Sequence, residues 1–501
     1  MAQPEKYFEP YRKNTIGFDQ MFLSPYGEKK IIYADWIASG RLYKPIERTI
    51  SEVFGPFVGN THSEASVTGT SMTLAYHHSH DIIKHHVNAK PDDVIITAGS
   101  GMTGMVNKFQ RILGLKIAEQ LRGFLSLPKY LKPIVFVTHM EHHSNQTSWL
   151  ETIADVVVIE PDAQGLVDLS DFKKQLEKYH DRKLKIGAFT ACSNVTGIHT
   201  PYHKMAKLMH ENGGFCFVDF ACSAPYEQMD MNPPDPMERL DAIYFSPHKF
   251  LGGPGSSGVL IFDSKLYKNR IPDDPGGGTV DWTNPWGQHK FVPNIEARED
   301  GGTPAFLQSI RASLAIKLKE EMGVEKIIER EKYLVKIAFE GLRKIPGLHI
   351  LADNVEDRLG AISFYVDNIH YNLIVKILND RFGVQVRGGC SCAGTYGHYL
   401  LHVTPQMSKH ITAKINHGDL SEKPGWVRMS LHPTMTDDEV NLILNAVMEI
   451  VKNIQSWKED YVYDLHKNEF YHKNSNEKEN IYKMFEFNGG SKSAVKNILK
   501  S

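Results

Sequence analysis

The chain is 501 residues long, 41% apolar and 23% charged, with a formal net charge of −2. That is ordinary for a soluble globular protein with room for two or three domains, and it gives no reason to expect nucleic acid or an anionic membrane as partner. No apolar run approaches the roughly 18–20 residues of a membrane span.

The start Met1-Ala-Gln-Pro-Glu-Lys is polar and lacks the apolar core of a signal peptide. Five cysteines (Cys192, Cys216, Cys222, Cys390, Cys392) are too few and too unevenly spaced for a disulfide framework, so a reducing cytoplasm is expected. His77-His78-Ser79-His80 and His85-His86 lack companion cysteines or carboxylates at ligand spacing; they read as a solvated helix face, and no metal is expected.

From about residue 90 to 263, short β-branched runs alternate with amphipathic stretches. Strands are predicted over 94–97, 134–138, 156–159, 186–190, 215–219, 242–246 and 259–262, and helices over 103–121, 144–153, 169–180 and 202–212. This alternation implies βαβ units and a mainly parallel sheet covered on both faces, an α/β architecture that binds ligands at the carboxyl ends of its strands. A helix over 303–318 leads out of this domain. Residues 330–455 predict a smaller α+β unit with strands near 348–351, 361–366 and 384–387. The tail after Trp457 is charged, aromatic and asparagine-rich, and is expected to be a surface helix or partly disordered.

The most informative stretch is Ser246-Pro-His-Lys-Phe-Leu-Gly-Gly253, directly after the strand at 242–246. Lys249 at a strand end faces a cleft, and Ser246 and His248 beside it suit a phosphate. Phosphate donors beside one amine point to pyridoxal phosphate (PLP) held as a Schiff base. Asp219, thirty residues earlier, ends another strand, where a carboxylate can pair with a pyridinium nitrogen or cap a helix. The run Thr97-Ala-Gly-Ser100-Gly101-Met-Thr-Gly104 joins strand to helix, so its small residues let backbone N–H groups approach a phosphate. His142 and His143, after the strand ending at Thr138, can stack on a flat ring and carry protons near pH 7. Asn194 closes another strand and could donate to the ring's phenolic oxygen. Cys392 lies on the glycine-rich run Arg387-Gly-Gly-Cys390-Ser-Cys392-Ala-Gly394, where a cation five residues away favours thiolate. Arg428 sits on a predicted strand and could grip a carboxylate bidentately.

In one order along the chain, Glu141-His-His-x-Asn145, Ser193-Asn194-x-x-Gly197, the Asp219 strand, Ser246-x-His-Lys249, Gly302-Thr303-Pro304 and Arg387-x-Gly-x-x-Cys392-Ala resemble the class V aminotransferase family of PLP enzymes. The branch resembled holds cysteine desulfurases and selenocysteine lyases, and the likeness runs from Tyr33-Ala34-Asp35 to about residue 450. It implies a fold-type I PLP-dependent transferase: a mainly parallel seven-stranded sheet with helices on both faces, plus a smaller C-terminal α+β domain. The implied layout is an N-terminal segment over 1–40 packing on the small domain, a PLP domain over 41–320, a small domain over 321–456 and an extension over 457–501.

By the same resemblance Lys249 carries PLP, Asp219 pairs with the ring nitrogen, and His142, or its neighbour His143, stacks over the ring. Ser100, Gly101, Ser246 and His248 hold the phosphate, joined from a second subunit by Thr303 and the Gly276–278 loop, so a homodimer is implied. Arg428 binds the substrate carboxylate, assisted by Arg387 and Asn194. Cys392 accepts sulfur from L-cysteine, with L-alanine as product and a sulfur-acceptor protein as onward partner. Other reactions of the branch (selenocysteine lysis, β-elimination, epimerisation) or a non-catalytic dimeric sulfur carrier are the alternatives.

Three departures bear on the substrate. Where desulfurases of this branch have Asp-x-Ala-Gln, this chain has Asp219-Phe-Ala-Cys222. The His-His pair usual before the catalytic cysteine is Cys390-Ser391, and an insertion over 394–423 lies between Arg387 and Arg428.

Overall fold

Runs such as Ile134-Val-Phe-Val-Thr138, buried at every position, have no polar face to offer water and need cover on both sides. Seven such strands form the main sheet of the computed structural model, which describes residues 4–61, 64–474 and 485. They are β1 (Val94–Ala98), β2 (Ile134–Thr138), β3 (Asp155–Ile159), β4 (Lys185–Thr190), β5 (Phe215–Asp219), β6 (Ala242–Phe245) and β7 (Gly258–Phe262). Their order is β1-β7-β6-β5-β4-β2-β3; β7 runs antiparallel to both neighbours and the rest are parallel.

The helices that accompany this sheet in the chain are α1 (Val67–His86), α2 (Met102–Ile112), α3 (His143–Leu150), α4 (Leu169–Lys178), α5 (Tyr202–Glu211) and α6 (Phe306–Met322). One core holds Phe109, Trp149, Phe217 and Phe262, with Phe109 and Phe217 packed edge to face at 4.9 Å. Asp168 caps α4 by accepting from the N–H groups of Ser170 and Asp171. This is the seven-stranded, mainly parallel α/β sheet expected from the sequence.

The chain divides into two compact units. The large unit spans 37–194 and 198–328; the small unit takes residues before 37, 195–197 and those from 329 onward. The small unit contains an antiparallel sheet of β8 (Leu348–Ile350), β9 (Ala361–Val366), β10 (Arg387–Gly389) and β11 (Trp426–Ser430), ordered β8-β9-β11-β10. Helices α7 (Tyr371–Phe382) and α8 (Asp437–Trp457) belong to the same unit. A capping box between Thr436 and Glu439 starts α8, and Gly383 in the left-handed region ends α7. Among the described residues, no helix is long and apolar enough to cross a membrane.

Four local expectations are corrected. Helix α2 stops at Ile112 rather than 121, because Gly114 turns left-handed (φ 70°), although Leu113 and Leu115 keep the apolar spacing going. The predicted strand over 384–387 is two pieces: Val384–Gln385 pairs in parallel with Ile32–Tyr33, and Arg387–Gly389 joins the antiparallel sheet. The tail after Trp457 forms neither a surface helix nor a disordered stretch over 461–472. It is a β-hairpin of β12 (Tyr461–Asp464) and β13 (Glu469–His472), closed with Asn468 left-handed (φ 58°). Finally, His80 and His86 are buried on α1 while His77, His78 and His85 stay exposed. His80 Nε2 lies 3.0 Å from Thr97 Oγ1, and burial pushes the imidazole down to about 3.

Candidate active site

In the large unit three parallel strands end side by side: Thr190 of β4 is in register with Asp219 of β5, and Asp219 with Tyr244 of β6. After β6 the chain makes one 3₁₀ turn, Pro247–Lys249, which presents a half-buried Lys249. The turn is held tightly. Gly40 N donates to His248 O at 3.0 Å, and a Cβ on Gly253 would lie 1.8 Å from Pro247 O, so only glycine fits there.

Ser246, Gly101 and His248 converge at the start of α2. Ser246 Oγ accepts from Met102 N at 2.8 Å, and a Cβ on Gly101 would meet Ser246 Oγ at 3.0 Å and the His248 ring at 3.6 Å. A glycine-floored space with a hydroxyl, an imidazole and a helix N-terminus around it suits a phosphate. Burial, helped by the neighbouring Lys249 charge, pushes His248 down to about 4 and keeps it neutral. Ser100 is exposed beside this group.

Asp219 is 3% exposed. Burial raises its carboxyl to about 6, against the opposing pull of the Ala221 N–H (2.8 Å) and of Lys249. His142 is the N-cap of α3: its Nδ1 accepts from Ser144 N at 3.1 Å, which fixes the ring and leaves Nε2 to carry the proton of the neutral form. Asn194 is buried beyond the end of β4. Cys222 Sγ faces Ser193 O at 3.5 Å and Cys192 Sγ at 3.9 Å, so a thiol pair packs at the position where an amide was in question. Thr303 is exposed, and Gly302 N donates to Gly277 O at 2.9 Å, which brings together the two segments read as reaching toward a second subunit. The hairpin beyond them, with strands Val280–Thr283 and His289–Phe291, leaves Trp286 83% exposed.

In the small unit Arg387 and Arg428 stand opposite each other on β10 and β11. Two cations side by side need an anion, and Asp35 supplies it: one carboxylate oxygen accepts from Arg428 at 2.9 Å and the other from Arg387 at 3.1 Å. Arg428 is 3% exposed, whereas Arg387 is about half exposed. The guanidinium read from sequence as an activator of Cys392 is thus engaged by Asp35.

Beyond β10 the backbone enters the left-handed region at two consecutive non-glycine residues, Ser391 (φ 51°) and Cys392 (φ 57°). Each such residue stores about 1–3 kcal/mol that the surroundings must hold. Ser391 is held by Trp426, whose Nε1 donates to Ser391 Oγ at 3.1 Å, and Ala393 N closes the turn on Cys390 O at 3.0 Å. The turn leaves Cys392 exposed and Cys390 half-buried. The insertion that follows forms two helices, Gly394–Leu400 and Pro405–Asn416. A cavity of about 500 Å³ beside Asp35 and Arg387 is walled by Asn372 and by Phe470 and Tyr471 of the C-terminal hairpin.

The family model for aminotransferase class-V matches residues 32–443. The chain belongs to that family. Membership makes it a PLP-dependent enzyme, and the sheet order carries the family's fold. The chain is 29% identical over 370 residues to a probable cysteine desulfurase of Staphylococcus epidermidis, covering 73% of this chain and 84% of that one. It is 27% identical over 432 residues to a probable cysteine desulfurase of Pyrococcus abyssi, covering 85% and 96%. A cysteine desulfurase from Thermococcus onnurineus has the same fold, with a TM-score of 0.71 at 24% identity over 90% of this chain and 99% of that one. An Escherichia coli cysteine desulfurase does too, at 0.67 and 21% over the same shares.

Within the class-V fold, the structure gathers Gly101, Ser246 and His248 at one helix start and joins Arg387 to Arg428 through Asp35. The sequence reading missed the role of Asp35, which lies at the edge of Tyr33-Ala34-Asp35 and meets its partners 352 and 393 residues later. It also gave no role to Glu141, Asn145 or Tyr244. The signal for Glu141 and Asn145 was their i, i+4 spacing across a helix start.

Proposed function

We propose that this protein is a cysteine desulfurase that converts L-cysteine to L-alanine with the sulfur accepted by Cys392. The observation that carries the reading is Cys392 itself, an exposed thiol on a strained turn that follows the strand holding Arg387. PLP bound at Lys249 supplies an electron sink for a carbanion at the substrate's α-carbon. The donors described above fit it: Gly101, Ser246, His248 and Ser100 for the phosphate, Asp219 for the ring nitrogen, and the fixed ring of His142 for stacking. Arg428 and Arg387, both held by Asp35, receive the substrate carboxylate, with Asn194 assisting.

With PLP bound, the Lys249 amine would take the α-proton of the substrate. The Cys392 thiolate attacks the substrate sulfur and the Cβ–S bond breaks. Cysteine plus the Cys392 thiol thereby yields alanine plus a Cys392 persulfide, with all atoms accounted for. Thr303, the Gly277–Gly302 contact and the exposed Trp286 hairpin support a homodimer, and the persulfide calls for a cytoplasmic sulfur-acceptor protein.

The test is product analysis of the PLP-loaded protein with L-cysteine, L-selenocysteine and a panel of small amino acids. With a thiol reductant present to discharge the persulfide, alanine and sulfide in equal amounts from L-cysteine are expected; turnover confined to a sulfur-free amino acid contradicts the reading. One observation favours a second reading, another PLP reaction of the family: Cys222 packs against Cys192 where desulfurases of the resembled branch carry glutamine.

A further inference from the structure

We propose that Glu141 and Asn145 are positioning residues, which with Tyr244 close a buried hydrogen-bonded buckle across three strands and a helix start and so set His142, Asp219 and Lys249 for the cofactor. The inference rests on the reading of Lys249 as the cofactor lysine.

Glu141, Asn145 and Tyr244 are each at most 1% exposed. One Glu141 oxygen accepts from Thr138 Oγ1 (2.7 Å), Thr138 N (3.2 Å) and Thr190 N (2.9 Å), and the other accepts from Asn145 Nδ2 (2.8 Å). The same amide nitrogen donates to Ala188 O at 3.2 Å. Asn145 Oδ1 accepts from Tyr244 Oη at 2.5 Å and from Trp149 Nε1 at 3.3 Å. Two donors on one side of the amide and two acceptors on the other leave Asn145 a single satisfied orientation.

The buckle ties the end of β2 (Thr138), the end of β4 (Ala188, Thr190), the start of α3 (Asn145) and the end of β6 (Tyr244). Strand β5 lies between β4 and β6 and is laced to both. Ala191 N donates to Asp219 O at 2.9 Å, and Phe220 N donates to Tyr244 O at 3.0 Å.

A buried carboxylate is costly to keep unless its oxygens are fully hydrogen-bonded, and an apolar residue would fill the space at lower cost. Its place relative to the site supplies the reason for keeping it. His142 is the next residue, Asp219 is the register partner of Thr190, and Lys249 lies five residues beyond Tyr244. Burial, with a smaller push from the charge of Asp219, raises the Glu141 carboxyl to about 7, so the two carboxyls sense each other.

The test compares E141Q, N145D and the double variant E141Q/N145D in the full-length protein loaded with PLP. In E141Q the new amide N–H₂ meets the Asn145 N–H₂, which breaks one link and keeps the other three. The double variant restores that link with donor and acceptor exchanged, while the bond to Ala188 O stays broken. Each single change is expected to weaken PLP binding about tenfold, the size of one buried hydrogen bond. Each should also shift the visible absorbance of lysine-bound PLP and lower kcat more than it raises KM. The double variant should recover part of the affinity and the absorbance lost in N145D. Tyr244→Phe deletes one hydroxyl and keeps the ring, so it tests the same link with little risk to folding; about a threefold loss of affinity is expected.

A merely structural role lowers the melting temperature of the singles while PLP affinity and absorbance stay at wild-type values. That result, or a double variant no better than the worse single, overturns the proposal. Neither readout needs turnover, so failure of the desulfurase reading leaves this test readable.

Discussion

The large and the small unit hold their candidate residues in opposite ways. In the large unit Asp219 and Glu141 are buried and hydrogen-bonded at the ends of strands in regular register. Around Cys392 in the small unit the reactive atom is exposed, and the backbone is left-handed at two residues in a row. A cofactor that stays needs fixed partners. The proposed sulfur acceptor needs to be reached, and the turn held by Ser391, Trp426 and Ala393 leaves it exposed. The arginines are intermediate, fixed on β-strands and half neutralised by Asp35.

The sharpest way to break this contrast is at its fixed end. Lys249→Ala is expected to abolish borohydride-trappable PLP and to cut turnover by a factor of about 10² to 10⁴ for the lost proton transfer alone. Full-stoichiometry trapping in that variant contradicts the assignment. At the presented end, Cys392→Ala should keep PLP and bind L-cysteine yet release no sulfide, while Cys390→Ala slows turnover at most a few-fold. Sulfide and alanine release by both variants separates them, and full activity in Cys392→Ala would move the nucleophile or remove it from the mechanism.

The fixed half was far more legible in the sequence than the presented half. Strand ends in a parallel sheet are marked by apolar runs that stop at a polar residue, so Asp219 and Lys249 announce themselves locally. Nothing local marks Asp35 as the shared partner of Arg387 and Arg428, because that contact closes only when distant segments meet. The burial of Glu141 was hidden behind the more familiar histidines that follow it. The left-handed turn at Cys392 carries no glycine to advertise it. The hairpin over 461–472 escaped because its strands are short and polar residues surround them; its aromatic packing, Tyr463 against Phe470 at 4.7 Å, becomes visible only once paired. Helix α2 was drawn too long because the apolar spacing outlasts the left-handed turn at Gly114.

Smaller effects sharpen the middle ground. Asp35→Ala removes the carboxylate shared by a buried and a half-exposed arginine. It should cost about 3–5 kcal/mol of stability, measured by urea unfolding, and raise KM for L-cysteine about tenfold with a lesser change in kcat. An unchanged midpoint would mean that the pair is not held by Asp35.

The smallest expected effect is one of pH. With carboxyls near 6 and 7, Asp219 and Glu141 keep protons in the folded, cofactor-free protein that the unfolded chain releases from about pH 4. Their contribution to stability is therefore full below pH 4 and is lost as pH rises to 7. Buried His80 and His432 (about 3) and His248 (about 4) act in the opposite sense, so the wild-type profile alone is ambiguous. The difference is not: E141Q, relative to wild type, should gain stability between pH 4.5 and 7, as read from paired urea midpoints. The same difference at both pH values contradicts the raised carboxyl.

The central claim is that a fixed PLP half delivers sulfur to a presented Cys392. The direct measurement is peptide mass spectrometry of PLP-loaded protein after brief exposure to L-cysteine, with thiols alkylated at once. One added sulfur atom is expected on the peptide bearing Cys392, located at Cys392 by fragmentation and absent in Lys249→Ala. Sulfide released at the normal rate with no added sulfur on Cys392, or with the sulfur on Cys390, would contradict it.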